Sequence, residues 1–279
     1  MRRVGKQPSS NKKWSEVKSR TYCYTCWRKV SLCLCEKITP FTTETKFSLL
    51  MHPMEAKRQR LGTGRLMKAS IKGTSLFYDV NMDIDDNFQK SLNDPNKFNV
   101  LLYPAENPEF IDGDKIPDSW KGPLQIEKRA LTLNLIDATW PMAKKMMRLS
   151  KTLQKMPKVS FCGDYQSRFT IKHQPNKKCL STIETAFYCL EGLKKMGLEP
   201  QLHNQHQGLL KILEHLVKFQ VNCEVDPTVR CSRGKKRNQH KKCLQKAKDE
   251  LKFSRIREKK NRLFYWDIKK SPVGNNHNY

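Results

Sequence analysis

Short apolar runs, each closed by proline or a polar loop and alternating with amphipathic helical stretches, limit what this chain can fold into more than any other feature. Residues 46–52 alternate and are rich in Phe and Leu, and His52-Pro53 ends the run because proline cannot donate to a strand ladder. Residues 74–78, 99–103, 130–136 and 159–161 read as further strands, the second of these stopping at Pro104. Residues 81–98 read as loop plus a helix fragment, and prolines at 104, 108, 117 and 123 mark a long connection. Strands alternating with helices predict an α/β domain with a mostly parallel sheet flanked by helices.

Three helices are predicted. Between 141 and 156, Met142, Met146, Leu149, Leu153 and Met156 recur at steps of 4, 3, 4 and 3, while Lys144, Arg148, Lys151 and Lys155 keep the same rhythm on the opposite face. That spacing describes an amphipathic helix with a basic outer stripe, opened by Pro141 and limited by Pro157. The stripe is either an ordinary solvated face or part of a track for RNA. A second helix opens at Ser181, where Ser181 and Glu184 have capping-box spacing, and stops near Gly197. A third covers about 208–219. His203, His206 and His215 lie near it and read as surface or packing residues.

Charge is concentrated at the two ends. The chain carries 54 Lys+Arg against 27 Asp+Glu, a net charge of +27. Residues 1–20 hold seven positive and one negative charge, and residues 230–270 hold seventeen and four. Such arms are either solubilising tails or a footprint for a polyanion, with nucleic acid favoured, because Lys and Arg on phosphates release condensed counterions. Lys235, Lys236 and Arg237 are the candidate contacts in the C-terminal arm. Five Trp, twelve Phe and the periodic segments exclude a wholly disordered chain. No apolar run approaches the ~20 residues that span a bilayer. The basic N-terminus has no apolar stretch behind it, so the expectation is a cytoplasmic protein without a membrane partner.

Four of ten cysteines crowd between positions 23 and 35. Cys23-x2-Cys26 and Cys33-x-Cys35 have the spacing of a structural Zn²⁺ site, the alternative being a cluster of reduced thiols. The expected division is a basic tail over 1–20, a four-Cys zinc knuckle over 21–40, a catalytic α/β domain over 41–225 and a basic extension over 226–279. Asp137 sits where an apolar strand runs out, the region where α/β proteins gather ligands. It is either a helix cap or ion-pair partner, or a catalytic carboxylate. Gly62-Thr63-Gly64-Arg65 is either a plain turn or a close backbone approach to a ligand gripped by the arginine.

Five ordered blocks over about residues 21–220 resemble the DTW-domain family: CYTCWRKVSLCLC, MHPMEAKRQRLGTGRL, LLYP, LNLIDATWPMAKKM and RFTIKHQPNKKCLSTIETA. The D-x-T-W signature stands as Asp137, Thr139 and Trp140. Two departures are Ala138, where glycine is common, and Lys172, where arginine is usual; lysine keeps the charge but loses the bidentate fork. The resemblance implies a SPOUT-like sheet with a C-terminal knot that clasps S-adenosylmethionine, and a tRNA-uridine aminocarboxypropyltransferase of bacterial type, acting at N3 of a uridine in the variable loop, with the D-loop as the other known position. It implies Asp137 as general base, and Gly62, Thr63, Gly64, Arg65, Thr139, Trp140, Ser181, Thr182 and Glu184 around the donor. His52, Lys144, Arg148 and Lys172 are expected to meet tRNA, and His52 and Glu55, at the end of the first strand, are contacts for either RNA or the cofactor. Rival readings are a SPOUT-type RNA methyltransferase and a non-catalytic zinc-containing RNA-binding protein. The sequence leaves the oligomeric state unknown.

Overall fold

The computed structural model describes residues 22–58, 62–171 and 179–225. The basic tails, Lys172, Lys235, Lys236 and Arg237 lie outside the described residues. Six strands form one sheet: β1 (Lys46–Met51), β2 (Ser75–Phe77), β3 (Lys97–Leu102), β4 (Glu109–Phe110), β5 (Ala130–Asp137) and β6 (Lys158–Ser160). Their order is β2-β1-β5-β3-β6-β4, and every neighbouring pair is parallel. All six carboxyl ends therefore open on one edge, and β5 lies inside the sheet between β1 and β3.

The helices are α1 (Pro53–Arg58), α2 (Gly64–Ser70), α3 (Asp86–Leu92), α4 (Asp118–Lys121), α5 (Trp140–Leu149), α6 (Lys151–Lys155), α7 (Thr182–Lys195) and α8 (Gln207–Val225). Side chains alternate across a strand, so Leu49 and Leu50, both fully buried, serve opposite faces. Leu49, Leu133 and Leu135 join Leu66 of α2, Ile183 and Leu190 of α7 and Leu213 of α8. Leu50 and Leu101 join Phe88 of α3, Met146 of α5 and Leu153 of α6. Covering both faces is what a parallel sheet requires, because its strands leave no solvent side. Among the described residues, no helix is long and apolar enough to cross a membrane.

The fold departs from the sequence expectations in three elements. The helix predicted over 141–156 is broken at Ser150, whose φ of −100° and ψ of 100° are extended. Tertiary capping outweighs helix continuity there: Ser150 Oγ accepts from the Met82 amide at 2.9 Å, and Asp83 accepts from the amides of Lys151 at 2.8 Å and Thr152 at 2.9 Å. Met146, Leu153 and Met156 remain buried across the break, but Leu149 is 41% exposed. Strand β4 was not foreseen, because two residues carry no periodicity. The third helix runs six residues further than expected, to Val225. Helix α7 ends as predicted, with Gly197 at a φ of 76° that favours glycine. The C-terminal knot is not established by the described residues, since 172–178 in the connection from β6 to α7 lie outside them.

Candidate functional site

At the carboxyl edge of the sheet a cavity of about 270 Å³ opens over the ends of β3, β5 and β6. Strand β5 delivers Asp137 to its wall, and the turn into α5 adds Thr139 and Trp140. Leu102, Leu135, Val159, Phe161 and Phe169 supply apolar wall, while Gly62, Thr63, Ser181, Thr182 and Thr185 supply small and hydroxyl-bearing residues. Tyr103 and Trp140 stand with ring centroids 6.2 Å apart on one side.

Asp137 is 8% exposed, and its Oδ1 accepts from Thr182 Oγ1 at 2.7 Å. Thr182 is the first residue of α7. Gly64, the first of α2, approaches the carboxylate so closely that a Cβ there would lie 2.1 Å from Asp137 Oδ2. The acid is thus held between the positive ends of two helices, where negative charge is favoured. A glycine is required at 64 because any side chain would occupy the carboxylate's place.

The other predicted residues divide. Gly62, Thr63, Thr139, Trp140, Ser181 and Thr182 line the cavity with Asp137. Glu184 does not: it is fully buried, and its carboxylate accepts from the Ser181 amide at 2.8 Å, the Ser181 hydroxyl at 2.6 Å, the Ser167 hydroxyl at 2.8 Å and the Arg168 amide. Burial raises its pKa against these donors. It completes the capping box and ties the 167–168 segment to α7 rather than facing a ligand. Arg65 turns the other way, donating to the Ala56 carbonyl at 3.2 Å with its guanidinium 4.5 Å from the Trp27 ring centroid. His52 is buried, and its Nδ1 accepts from the Met54 amide at 3.1 Å, capping α1. Burial first, then Lys145, lowers its pKa and keeps the ring neutral at neutral pH. Lys144 and Arg148 are exposed on α5, as the basic stripe predicted, and Glu55 is buried at the cavity wall.

Among the lining residues that sequence reasoning missed are Tyr103, Phe169, Leu180, Cys179 and Thr185. Tyr103 was findable, since it directly follows a strand's carboxyl end. Cys179 accepts a hydrogen bond from Trp140 Nε1 at 3.3 Å, which pins the segment before α7 against the D-x-T-W turn. No local pattern marked it.

At the other end of the described chain, the Sγ atoms of Cys23, Cys26, Cys33 and Cys35 all lie within 4.8 Å of one another. Cys23 and Cys35, and likewise Cys26 and Cys33, are 3.7 Å apart. Four ligands at the ~2.3 Å of a zinc–sulfur bond, set tetrahedrally, are separated by ~3.8 Å, which the two 3.7 Å pairs match, so the donor set fits that metal. Backbone hydrogen bonding, from Cys26 above all, lowers the Cys23 thiol to about 6. Burial pushes the Cys35 thiol up. The buried Arg28 reaches from this knuckle to the Gly62 carbonyl at 3.4 Å.

Together these features define a parallel α/β protein with a carboxylate in a cavity at the sheet's carboxyl edge and a separate cluster of four thiols with the spacing of metal ligands. The chain belongs to the DTW domain family, which matches residues 20–221. It is similar to the tRNA-uridine aminocarboxypropyltransferase 2 of Drosophila melanogaster, with 31% identity over 73% of this chain and 76% of the relative. The proteins of that name from Macaca fascicularis and Mus musculus share 25% and 28% identity over 74% and 72% of this chain, which spans 65% and 64% of their lengths. No solved structure matches.

Proposed function

We propose that this chain is a tRNA-uridine aminocarboxypropyltransferase that uses S-adenosylmethionine as co-substrate and attaches the 3-amino-3-carboxypropyl group to N3 of a uridine, the carbon–sulfur bond breaking to release methylthioadenosine. The observation that carries the reading is the Asp137 carboxylate, held by Thr182 in a cavity between two helix N-termini. The names of the relatives, from fly, macaque and mouse, supply the substrate class.

The cavity suits the co-substrate. Its apolar wall, with Tyr103 and Trp140, offers a slot for an adenine, and the first turn of α7 with Ser181, Thr182 and Thr185 offers donors for an amino-acid carboxylate. Bound there, S-adenosylmethionine supplies a carbon made electrophilic by its sulfonium. Positioning decides which of the three carbons on that sulfur reacts, so the walls that fix the amino-acid arm decide the product. Asp137 accepts the N3 proton of the incoming uridine, because the protonated nitrogen is a weak nucleophile. Thr182 holds the carboxylate oxygen that does not take that proton. Burial around Asp137 excludes water from competing for the same carbon.

Lys144 and Arg148 on α5, and the arms outside the described residues, serve as phosphate contacts. Zinc in the four-Cys site orders a segment too short to fold alone. The first position to map is the variable loop.

The deciding experiment incubates tRNA with co-substrate labelled separately at the carboxyl carbon and at the methyl carbon. Carboxyl label in RNA is expected. Methyl label alone would make the chain a methyltransferase, and RNA binding with neither label would leave a non-catalytic protein.

A further inference from the structure

The knuckle turn presents aromatic side chains outward. Tyr24 is 91% exposed and Trp27 52% exposed, an unusual display for residues that gain so much from burial. Trp27 also holds a φ of 57°, left-handed backbone that a bulky residue adopts only when its surroundings impose it. They do so here: the Trp27 amide donates to the Cys23 carbonyl at 2.8 Å and the Cys23 amide to the Arg28 carbonyl at 2.7 Å, closing the turn around the thiols. The result lays the indole against Arg65, one residue along from the Gly64 that abuts Asp137. The ring is therefore packed at a guanidinium yet still half open to solvent, and the next residue, Arg28, donates to the carbonyl of Gly62, which lines the cavity.

We propose that Tyr24 and Trp27 form a base-stacking surface for unpaired nucleotides flanking the uridine that enters the cavity. This rests on the reading of the chain as a tRNA-modifying enzyme. A uridine whose N3 must reach a buried carboxylate has to leave its stack, and its neighbours lose a stacking partner when it does. Exposed aromatic rings beside cationic side chains replace that stacking without reading sequence. Lys29 is exposed in the same turn, and residues 1–20, with their net charge of +6, lead directly into it. That charge fits a polyanion better than an apolar protein partner.

The test uses the full chain and measures tRNA affinity at fixed salt for Tyr24→Ala, Trp27→Ala and Trp27→Phe, with zinc content and S-adenosylmethionine affinity determined in parallel. Loss of one stacked base weakens binding roughly 5- to 150-fold. Tyr24→Ala and Trp27→Ala are expected to fall in that range, with Trp27→Phe recovering most of the loss and the salt dependence of binding unchanged. Tyr24→Ala is expected to keep wild-type zinc and co-substrate affinity. The proposal is overturned if both alanine variants bind tRNA like wild type, or if Trp27→Ala loses co-substrate affinity while Tyr24→Ala keeps full RNA affinity, which would make Trp27 only a support for Arg65. It is also overturned if the variants change self-association and not RNA binding. Wild-type protein that neither binds nor labels tRNA would refute the parent reading; labelled tRNA with unaffected variants would refute this one alone.

Discussion

Thr182 Oγ1 donates to Asp137 Oδ1 at 2.7 Å, joining the carboxyl end of β5 to the first turn of a helix that begins 45 residues later. Asp137→Asn keeps the shape of the side chain but cannot take up a proton. Removing a general base costs about 10²- to 10⁴-fold, so transfer from labelled co-substrate should fall by that amount while tRNA affinity is retained. Thr182→Val removes one hydrogen bond to the carboxylate and should cost roughly tenfold in kcat. Equal activity in Asp137→Asn and wild type would exclude this acid from the proton transfer.

Gly64→Ala tests the same geometry from the other helix. The added Cβ would sit 2.1 Å from Asp137 Oδ2, 2.8 Å from its Cγ and 3.3 Å from Met51 Cε. A short side chain on a rigid strand can relieve that overlap only by rotating its carboxylate away. Overpacking costs about 1–3 kcal/mol, which thermal unfolding would register, but the larger effect should be on turnover, approaching that of Asp137→Asn. A folded Gly64→Ala protein with wild-type kcat would show that the carboxylate's orientation does not matter.

Much of this was legible before the structure, and the reasons for the exceptions are physical. Five strands could be read because each is a short apolar stretch closed by proline or a polar loop, and Asp137 could be placed because strand ends are where ligands gather. The break at Ser150 was not legible, because the apolar rhythm satisfies the same buried stripe across it and the caps come from Asp83, far away in sequence. Glu184 had two readings, cap and ligand contact, and only its burial and four donors separate them. Arg65 reads either as part of a plain turn or as a grip on an anion, and its contact with Trp27, distant in sequence, leaves no local pattern.

The knuckle predicts metal content. Purified protein should carry about one zinc, released by chelator or by acid as protons compete for the thiolates. Cys26→Ser should lose the metal and, with it, the packing of Cys26 and Leu34, which are 4% and 6% exposed. Losing the burial of a leucine costs about 1.5–3 kcal/mol, and a loss of ~2 kcal/mol in a domain of this size lowers Tm by roughly 4–8 °C. The sheet's circular dichroism should persist. Metal-free wild-type protein as isolated would leave only a cluster of thiols.

The break between α5 and α6 gives the chain a pH signature. Asp83 accepts the two amides that open α6, and its pKa is lowered: burial opposes the shift, but hydrogen bonding from Thr152 and Lys151 and the charge of Lys151 outweigh it. A folded-state pKa below the unfolded value means the carboxylate stabilises the fold fully above the ordinary aspartate range, near ~4, and ceases to do so as pH falls through the folded value. Asp83→Ala removes an N-terminal cap, so stability at neutral pH should drop by about 0.5–2 kcal/mol. The gap between wild type and variant should then narrow on acidification, as the wild-type carboxylate takes up its proton. Denaturant midpoints measured from pH 7 down to about 3 would display the convergence, and parallel curves would mean that Asp83 does not cap α6 as an anion.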